Sequence, residues 1–352
     1  MRIIYAVLAL LLNISIFAQN HDKELRDLYY SGKFNELVKI SAEYLKSDSL
    51  NPIINLWYGE GLVELGFFNE AKPFVQKAIE NIEDNDGRKA WAINYLARIE
   101  FLNQNKFKAK QLFLDCINTD SNSKAWESAK YLLVELGLDD YYSDFEMVES
   151  EHIIFHFQPN SIVPDKEQFV ESREKAFQKI SEFFGVKIPK KIDFIVWNSN
   201  EDAKKLGIKS LGYASPKFCV IHSRSNQTRG HEITHIITHY LSNDQIKTRF
   251  INEGTAVCCD LSNNNRLEII KKQKETDSTQ VVVSIKEAWT NPRAYPEWVY
   301  YPLAGEFVFR ILDRWGKDEL FELLKNQTYE NALLIYGEEL NTIISELENE
   351  IN

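Results

Sequence analysis

The sequence predicts an α+β fold in which an all-helical N-terminal part precedes a part with both strands and helices. Residues 21–140 show patterns that are typical of helices only. After residue 150, short runs rich in β-branched and aromatic residues alternate with helical patterns, which indicates strands. The polar stretch DDYYSDFEMVES, residues 139–150, lies between the all-helical part and the part with strands and helices. We therefore expect one domain over residues 19–140 and another over residues 147–352.

The first eighteen residues have the pattern of a secretory signal peptide. Arg2 precedes an apolar run, Ala6–Phe17, and the small residue Ala18 follows that run. The run is too short for a comfortable transmembrane helix. We therefore expect cleavage after residue 18 and export of the chain, in bacterial style, to the periplasm or beyond the cell. An uncleaved N-terminal anchor is the alternative, and no other stretch is long and apolar enough to span a bilayer.

The charge of the chain indicates which partners are disfavoured, and its cysteine content indicates which kind of fold is disfavoured. The formal net charge of -11 at pH 7 disfavours binding to nucleic acid or to anionic lipid. Four cysteines in 352 residues do not make a disulfide scaffold. We interpret the adjacent Cys258 and Cys259 as small apolar side chains within a helix.

A repeat is visible in the helical part. SGKFNEL, residues 31–37, superposes on LGFFNEA, residues 65–71, with Gly32 and Gly66 placed 34 positions apart. A weaker third copy, LNQNKFKAKQLF, begins at Leu102. This spacing resembles the tetratricopeptide repeat, and the resemblance implies a short array that binds a peptide or partner protein, or acts as a spacer. A helical bundle without repeats is the alternative.

The second part is expected to alternate strands and helices. Its predicted strands cover residues 151–157, 191–197 and 217–223. Its predicted helices cover residues 166–184, 229–241 and 253–261, and the chain is mostly helical from residue 302.

The motif HEITH, residues 231–235, points to a metal site. On a helix, His231 and His235 lie on one face about one turn apart, so both imidazoles can bind one zinc ion. Glu232 is about 100° around the helix from His231. Its carboxylate would therefore stand beside the metal, where it could take a proton from water.

The third ligand must lie outside this motif. His239 continues the four-residue series, but it is about 12 Å along the helix axis from His231, whereas zinc–nitrogen bonds are about 2 Å. Glu253, in the sequence NEG, follows His235 by 18 positions after a loop that lets a second helix fold back. We predict His231, His235 and Glu253 as the ligands of one Zn²⁺, with Glu253 at the start of that helix.

HEITH with NEGTA downstream resembles the gluzincin metallopeptidases of the MA clan, in particular their aminopeptidase-type branch. The resemblance covers about residues 147–352. It implies a thermolysin-like domain with a small sheet and zinc-site helices. It also implies peptide-bond hydrolysis, with zinc bound by His231, His235 and Glu253 and with Glu232 as general base and acid.

The resemblance also implies a tyrosine that supports the oxyanion and an edge strand that binds the peptide. Tyr301, which precedes Pro302 at an expected helix start, is our first choice for the tyrosine, and Tyr300 is the second. GYASPKFCVIH, residues 212–222, occupies the edge-strand position. It lacks the glutamate with which aminopeptidases hold the free amine of the substrate, which argues against that specificity.

His222 and Asp260 also lie near these motifs and are candidates for a role in the site. We interpret His222 as structural and Asp260 as a solvated charge rather than a partner of the site. The sequence thus predicts a secreted zinc metallopeptidase that acts on a peptide or protein. The alternative from a different class is a non-catalytic interaction scaffold with a peptidase-like domain.

Overall fold

A computed structural model describes the chain over these residues: 21–120, 123–209, 211–242, 245–262, 264–276 and 281–352. The expected signal peptide, residues 1–18, lies outside the described residues. The chain divides into two compact units, and the second covers Asp144–Asn352. Within the described ranges, no helix is both long and apolar enough to cross a bilayer.

The first unit consists of helices, and from the second helix onward each one packs against the next in the chain. The first, α1, includes residues 21–30. The others are α2 (Phe34–Ser47), α3 (Pro52–Glu64), α4 (Phe68–Asn81), α5 (Arg88–Leu102), α6 (Lys106–Thr119) and α7 (Lys124–Glu135). Small or apolar residues such as Leu37, Ala71, Val75 and Ala97 are fully buried between them.

One turn recurs at the ends of α1, α3, α5 and α7. Its central residue has a left-handed backbone, with φ of 70° at Gly32, 84° at Gly66, 65° at Gln104 and 67° at Gly137. In each copy the N–H of this residue bonds to the carbonyl three positions back, and the next N–H bonds to the carbonyl five positions back. The copies follow at intervals of 34, 38 and 33 residues (66 − 32, 104 − 66, 137 − 104). The helical unit is therefore repetitive in structure, including a copy at Gly137 that the sequence did not reveal.

The third copy of this turn differs from the others because Gln104 replaces glycine. A side chain in the left-handed region costs about 1 kcal/mol, which glycine avoids. We expect Gln104→Gly to raise the free energy of unfolding by about 0.5–1 kcal/mol. The measurement is urea unfolding of the full chain, followed by helical circular dichroism.

The reciprocal variant is the control for this prediction. A Cβ at Gly66 would meet no atom within 4 Å, so Gly66→Gln introduces backbone strain without a clash. It should lower the free energy of unfolding by about 1 kcal/mol. Equal stability of both variants and the parent would contradict the assignment of strain to Gln104.

The second unit contains a five-stranded sheet with the order β1-β2-β3-β5-β4. The strands are β1 (Glu146–Glu149), β2 (Ile153–Phe157), β3 (Ile192–Trp197), β4 (Tyr213–Ser215) and β5 (Val220–Arg224). β2, β3 and β5 run parallel, whereas β1 and β4 are antiparallel edge strands. Every residue of the central strand β3 is buried, as expected for a strand covered on both faces.

Helices surround this sheet and make up the rest of the second unit. They are α8 (Lys166–Phe184), α9 (Asn200–Lys205), α10 (His231–His239), α11 (Arg249–Cys258), α12 (Arg266–Thr276), α13 (Ile285–Thr290), α14 (Glu297–Trp315), α15 (Lys317–Lys325), α16 (Tyr329–Tyr336) and α17 (Glu339–Ile351). One continuous hydrophobic core joins the sheet to α8, α10, α11 and the C-terminal helices. The fold class is thus α+β, mostly helical with a small sheet, as the sequence predicted.

Three local predictions were wrong. Residues 146–149 were predicted to belong to the boundary between the two domains, but they form the strand β1. Their sequence, EMVE, is too short and too charged to show the alternation of apolar and polar residues that indicates a strand. Helix α11 begins at Arg249, where the Thr248 hydroxyl accepts a hydrogen bond from the Ile251 N–H, so Glu253 is not at the helix start. Helix α14 begins four residues before Tyr301, which leaves Pro302 inside the helix.

Candidate metal centre

The HEITH motif forms the first turns of α10. Because side chains four positions apart share a helix face, the imidazoles of His231 and His235 lie side by side. Their ring centroids are 4.9 Å apart, with the ring planes nearly perpendicular. Both rings are partly accessible, whereas Ile233, Ile236 and Ile237 on the opposite face are fully buried in the core. The apolar face of α10 therefore fixes the orientation of its histidine face.

Glu253 reaches this histidine face from α11, which packs against α10. Its Oε2 lies 3.2 Å from His231 Nε2 and 3.4 Å from His235 Nε2. With zinc–ligand bonds of about 2.1 Å, the edge of a tetrahedron around the ion is about 3.4 Å. The two measured distances match that edge. The Glu253 carboxylate is therefore placed to share one ion with either imidazole.

The donor set suits zinc. The three ligand-type atoms all lie within 4.8 Å of one another. Two imidazole nitrogens and one carboxylate oxygen are the ligands of catalytic zinc sites that keep a fourth position open. The residues present therefore fit a zinc ion.

The pKa values of these groups reflect their mutual contacts. Burial raises the pKa of Glu253, but its contacts with His231 and His235 outweigh burial and bring the pKa down to about 2. Burial lowers the pKa of His231, while Glu253 and the neighbouring acids raise it by more, so the net shift is upward. Glu253 is thus held as an anion, the form that binds a metal.

Glu232 lies in the same cleft but is not one of the three converging groups. It is 5% exposed, and it lines the cleft beside the two histidines. Burial is the main cause of its raised pKa, partly offset by the charges of His231 and His235. A carboxylate with a raised pKa beside a metal site is suited to accept and return a proton.

The position of Tyr301 depends on a glycine of the NEG sequence. A Cβ at Gly254 would lie 2.5 Å from the carbonyl oxygen of Ala304, so only glycine allows α14 to approach α11 this closely. Tyr301 on α14 consequently lines the cleft, and its ring centroid is 6.0 Å from that of His231. Tyr300 instead is fully buried against Phe250. Of the two candidate tyrosines, Tyr301 is therefore the one whose position in the cleft suits an oxyanion donor.

The cleft has a volume of about 430 Å³ and is bounded on one side by the edge strand β4. Gly212, Tyr213 and Ala214 contribute its wall. The ring of Tyr213 stacks on His222 with an interplanar angle of 6°, and the indole N–H of Trp197 donates to His222 Nδ1. His222 is fully buried, so its role at this place is to position the wall of the cleft.

Asn252 is a part of the site that the sequence analysis missed. Its side-chain Nδ2, a donor atom, lies 3.2 Å from His235 Nδ1. An imidazole that binds a metal through Nε2 carries its proton on Nδ1 and needs an acceptor there. Rotation of the Asn252 amide by 180° presents its oxygen to that proton. The only sequence signal for this role was the position of Asn252 directly before Glu253.

His239 and Asp260 both lie outside the group of three converging ligands, in different surroundings. His239 is the last residue of α10 and makes an edge contact with the ring of Tyr240, outside the group of converging ligands. Asp260 is 6% exposed, so the prediction of a solvated charge was wrong. Its carboxylate accepts the Ser262 N–H, and its backbone carbonyl accepts the Gly230 N–H directly before α10. Asp260 therefore connects the end of α11 to the start of α10, the helix that carries His231 and His235.

No family model matches this chain, and no curated protein matches it significantly.

We expect Glu253→Ala to weaken zinc binding by about a hundredfold or more, because it removes one of three protein ligands. His239→Ala, one turn beyond His235, is the matched control and should leave the affinity unchanged. Competition with a chromogenic chelator measures both affinities on the full chain. Loss of zinc in His239→Ala together with retention in Glu253→Ala would contradict the ligand assignment.

Proposed function

We propose that this protein is an exported zinc metallopeptidase with a tetratricopeptide-like array before a gluzincin-like catalytic domain. The observation that carries the proposal is the convergence of His231, His235 and Glu253 at the spacing of a zinc tetrahedron. The buried carboxylate of Glu232 stands in the same cleft. Export is supported only by the composition of the first eighteen residues.

The residues of the cleft fit the hydrolysis of a peptide bond. A zinc ion held by His231, His235 and Glu253 would supply Lewis acidity toward a carbonyl oxygen and would lower the pKa of water. Glu232 accepts the proton of the attacking water and passes it to the leaving nitrogen. The phenol of Tyr301 donates a hydrogen bond to the oxyanion.

The substrate is proposed to bind as an extended peptide along β4. Support comes from the position of β4 at the edge of the sheet, where its backbone also lines the cleft. The residues of this wall, Gly212–Ala214 and Pro216, carry no carboxylate that could hold a free amine. We therefore propose a peptidase other than an aminopeptidase.

The helical unit is proposed to bind a partner or substrate protein. The four equivalent turns, spaced at 34, 38 and 33 residues, support an array of tetratricopeptide type. Arrays of this kind offer extended surfaces to peptides and proteins.

The function is tested by Glu232→Gln. This variant keeps the shape of the side chain but cannot accept a proton, so we expect kcat to fall by about a hundredfold or more while bound zinc is unchanged. Zinc content by elemental analysis and cleavage of a mixed peptide library by mass spectrometry are the measurements. If the parent chain folds but takes up no zinc, the interaction-scaffold alternative replaces the enzyme. Full activity in Glu232→Gln would remove its role as general base.

A second test compares Tyr301→Phe with Tyr300→Phe. Loss of one oxyanion donor lowers kcat by about a hundredfold, with little change in KM. Tyr300 is the matched control, because its buried hydroxyl has no hydrogen-bond partner among the described residues. Tyr300→Phe should therefore leave kcat within about twofold and stability unchanged or slightly higher. The reverse pattern would assign the role to Tyr300.

A further inference from the structure

A second cleft of about 800 Å³ lies between α8 and the loop that connects β5 to α10. Four cations line it (Arg173, Lys175, Lys179, Arg229), and the lining carboxylates are Asp165 and Glu171. The local balance is thus 4 − 2 = +2, on a chain whose formal net charge is -11. A positive cleft on an acidic protein concentrates anions locally.

The carboxylates of this cleft are already engaged. Asp165 accepts the backbone N–H of Gln168 at the start of α8. Glu171 pairs with Lys175 one turn further along the helix. Among the described residues, no carboxylate forms an ion pair with Arg173, Lys179 or Arg229. The carboxylates that line the cleft therefore leave these three positive charges without a counter-charge.

Arg173 is the most unusual of the three. It is only 6% exposed, and its guanidinium stacks on Phe169 at 3.4 Å from the ring centroid. Its terminal nitrogens donate to the Ser172 hydroxyl and to the carbonyls of Ser225 and Gln227, all neutral groups. Its Nε has no partner in the described part of the chain. A buried cation without a counter-charge is costly. Burial lowers the pKa of Arg173, and like-charge repulsion from Arg229 lowers it further, to about 10.

We propose that this cleft binds a phosphate group, as free phosphate or as a small phosphomonoester, through Arg173, Lys179 and Arg229. Guanidinium groups match the geometry and charge of phosphate oxygens. The volume exceeds that of inorganic phosphate, so an organic substituent also fits. Arg229 lies two residues before His231, so a bound anion would contact the segment that leads into α10. The inference does not depend on the proposed peptidase activity.

The test is the thermal unfolding midpoint of the full chain at increasing phosphate and constant ionic strength, with sodium chloride as the balancing salt. The parent should show a midpoint that rises with phosphate and saturates. Phenyl phosphate in a parallel series distinguishes the sources, because a tighter Kd for it than for phosphate indicates an ester as the ligand. Acetate, a singly charged anion, should bind much more weakly than either.

Arg229→Gln should have opposite effects on stability without phosphate and on affinity for phosphate. Without phosphate its midpoint should equal or exceed that of the parent, because the repulsion with Arg173 is relieved. With phosphate its Kd should be about tenfold weaker, because a charge-assisted contact is lost. Lys179→Gln should also weaken binding. Lys187→Gln, an exposed cation of the same unit outside the cleft, is the matched control and should leave the Kd within about twofold.

Two results would overturn the proposal. The first is a midpoint that does not respond to phosphate. The second is a response that Arg229→Gln and Lys179→Gln leave unchanged, which would place the anion elsewhere, for example at the histidines of the zinc site. A lowered midpoint in Arg229→Gln without phosphate would show instead that Arg229 stabilises the fold in the absence of a ligand.

Discussion

The close contact between α11 and α14 is the constraint on which the candidate site depends. At this crossing the Cβ that any other residue would add at Gly254 has no room, since the Ala304 carbonyl oxygen would be 2.5 Å away. A Cβ at Gly305 on α14 would lie 2.4 Å from the side chain of Val257 on α11. Two glycines on facing helices thus set the distance between the helix axes. That distance brings Tyr301 into the cleft beside Glu253, its neighbour across the crossing.

The same arrangement explains why charged groups tolerate burial here. Glu253 lies between two imidazoles, and each contact compensates part of the desolvation of the carboxylate. The antiparallel packing of α10 and α11 is closed at the far end by the bond from the Gly230 N–H to the Asp260 carbonyl. One helix pair therefore carries both the histidines and their acidic partner, and backbone contacts at its end keep them in register.

The parts of the site that follow from local periodicity could be predicted from the sequence. The i, i+4 spacing alone places His231 and His235 on one face of a helix, and it excludes His239 from the same ion. Glu253 could be chosen only through the NEG context, because 18 intervening residues fix no distance by themselves. The prediction that Glu253 starts this helix was wrong, because the side chain of Thr248 caps the helix directly before Arg249. The burial of Asp260 and the contact of Asn252 depend on tertiary packing, which no local pattern encodes.

The fold shows the same division between local and non-local information. The 34-residue shift between Gly32 and Gly66 was visible because both turns use glycine for a left-handed backbone. Gln104 adopts that conformation without the residue type that signals it, so the third turn could be located only weakly. The edge strand β1 was missed because its order depends on pairing with β2 rather than on its own composition.

The burial of Glu232 bears on whether the site is an enzyme's or only a scaffold's. Burial raises the pKa of Glu232, so its charged form is disfavoured in the folded protein compared with a carboxylate in water. A hydrolase gains a proton acceptor whose pKa lies closer to neutrality. The raised pKa of this buried carboxylate beside two histidines therefore supports the proposed proton transfer in the cleft.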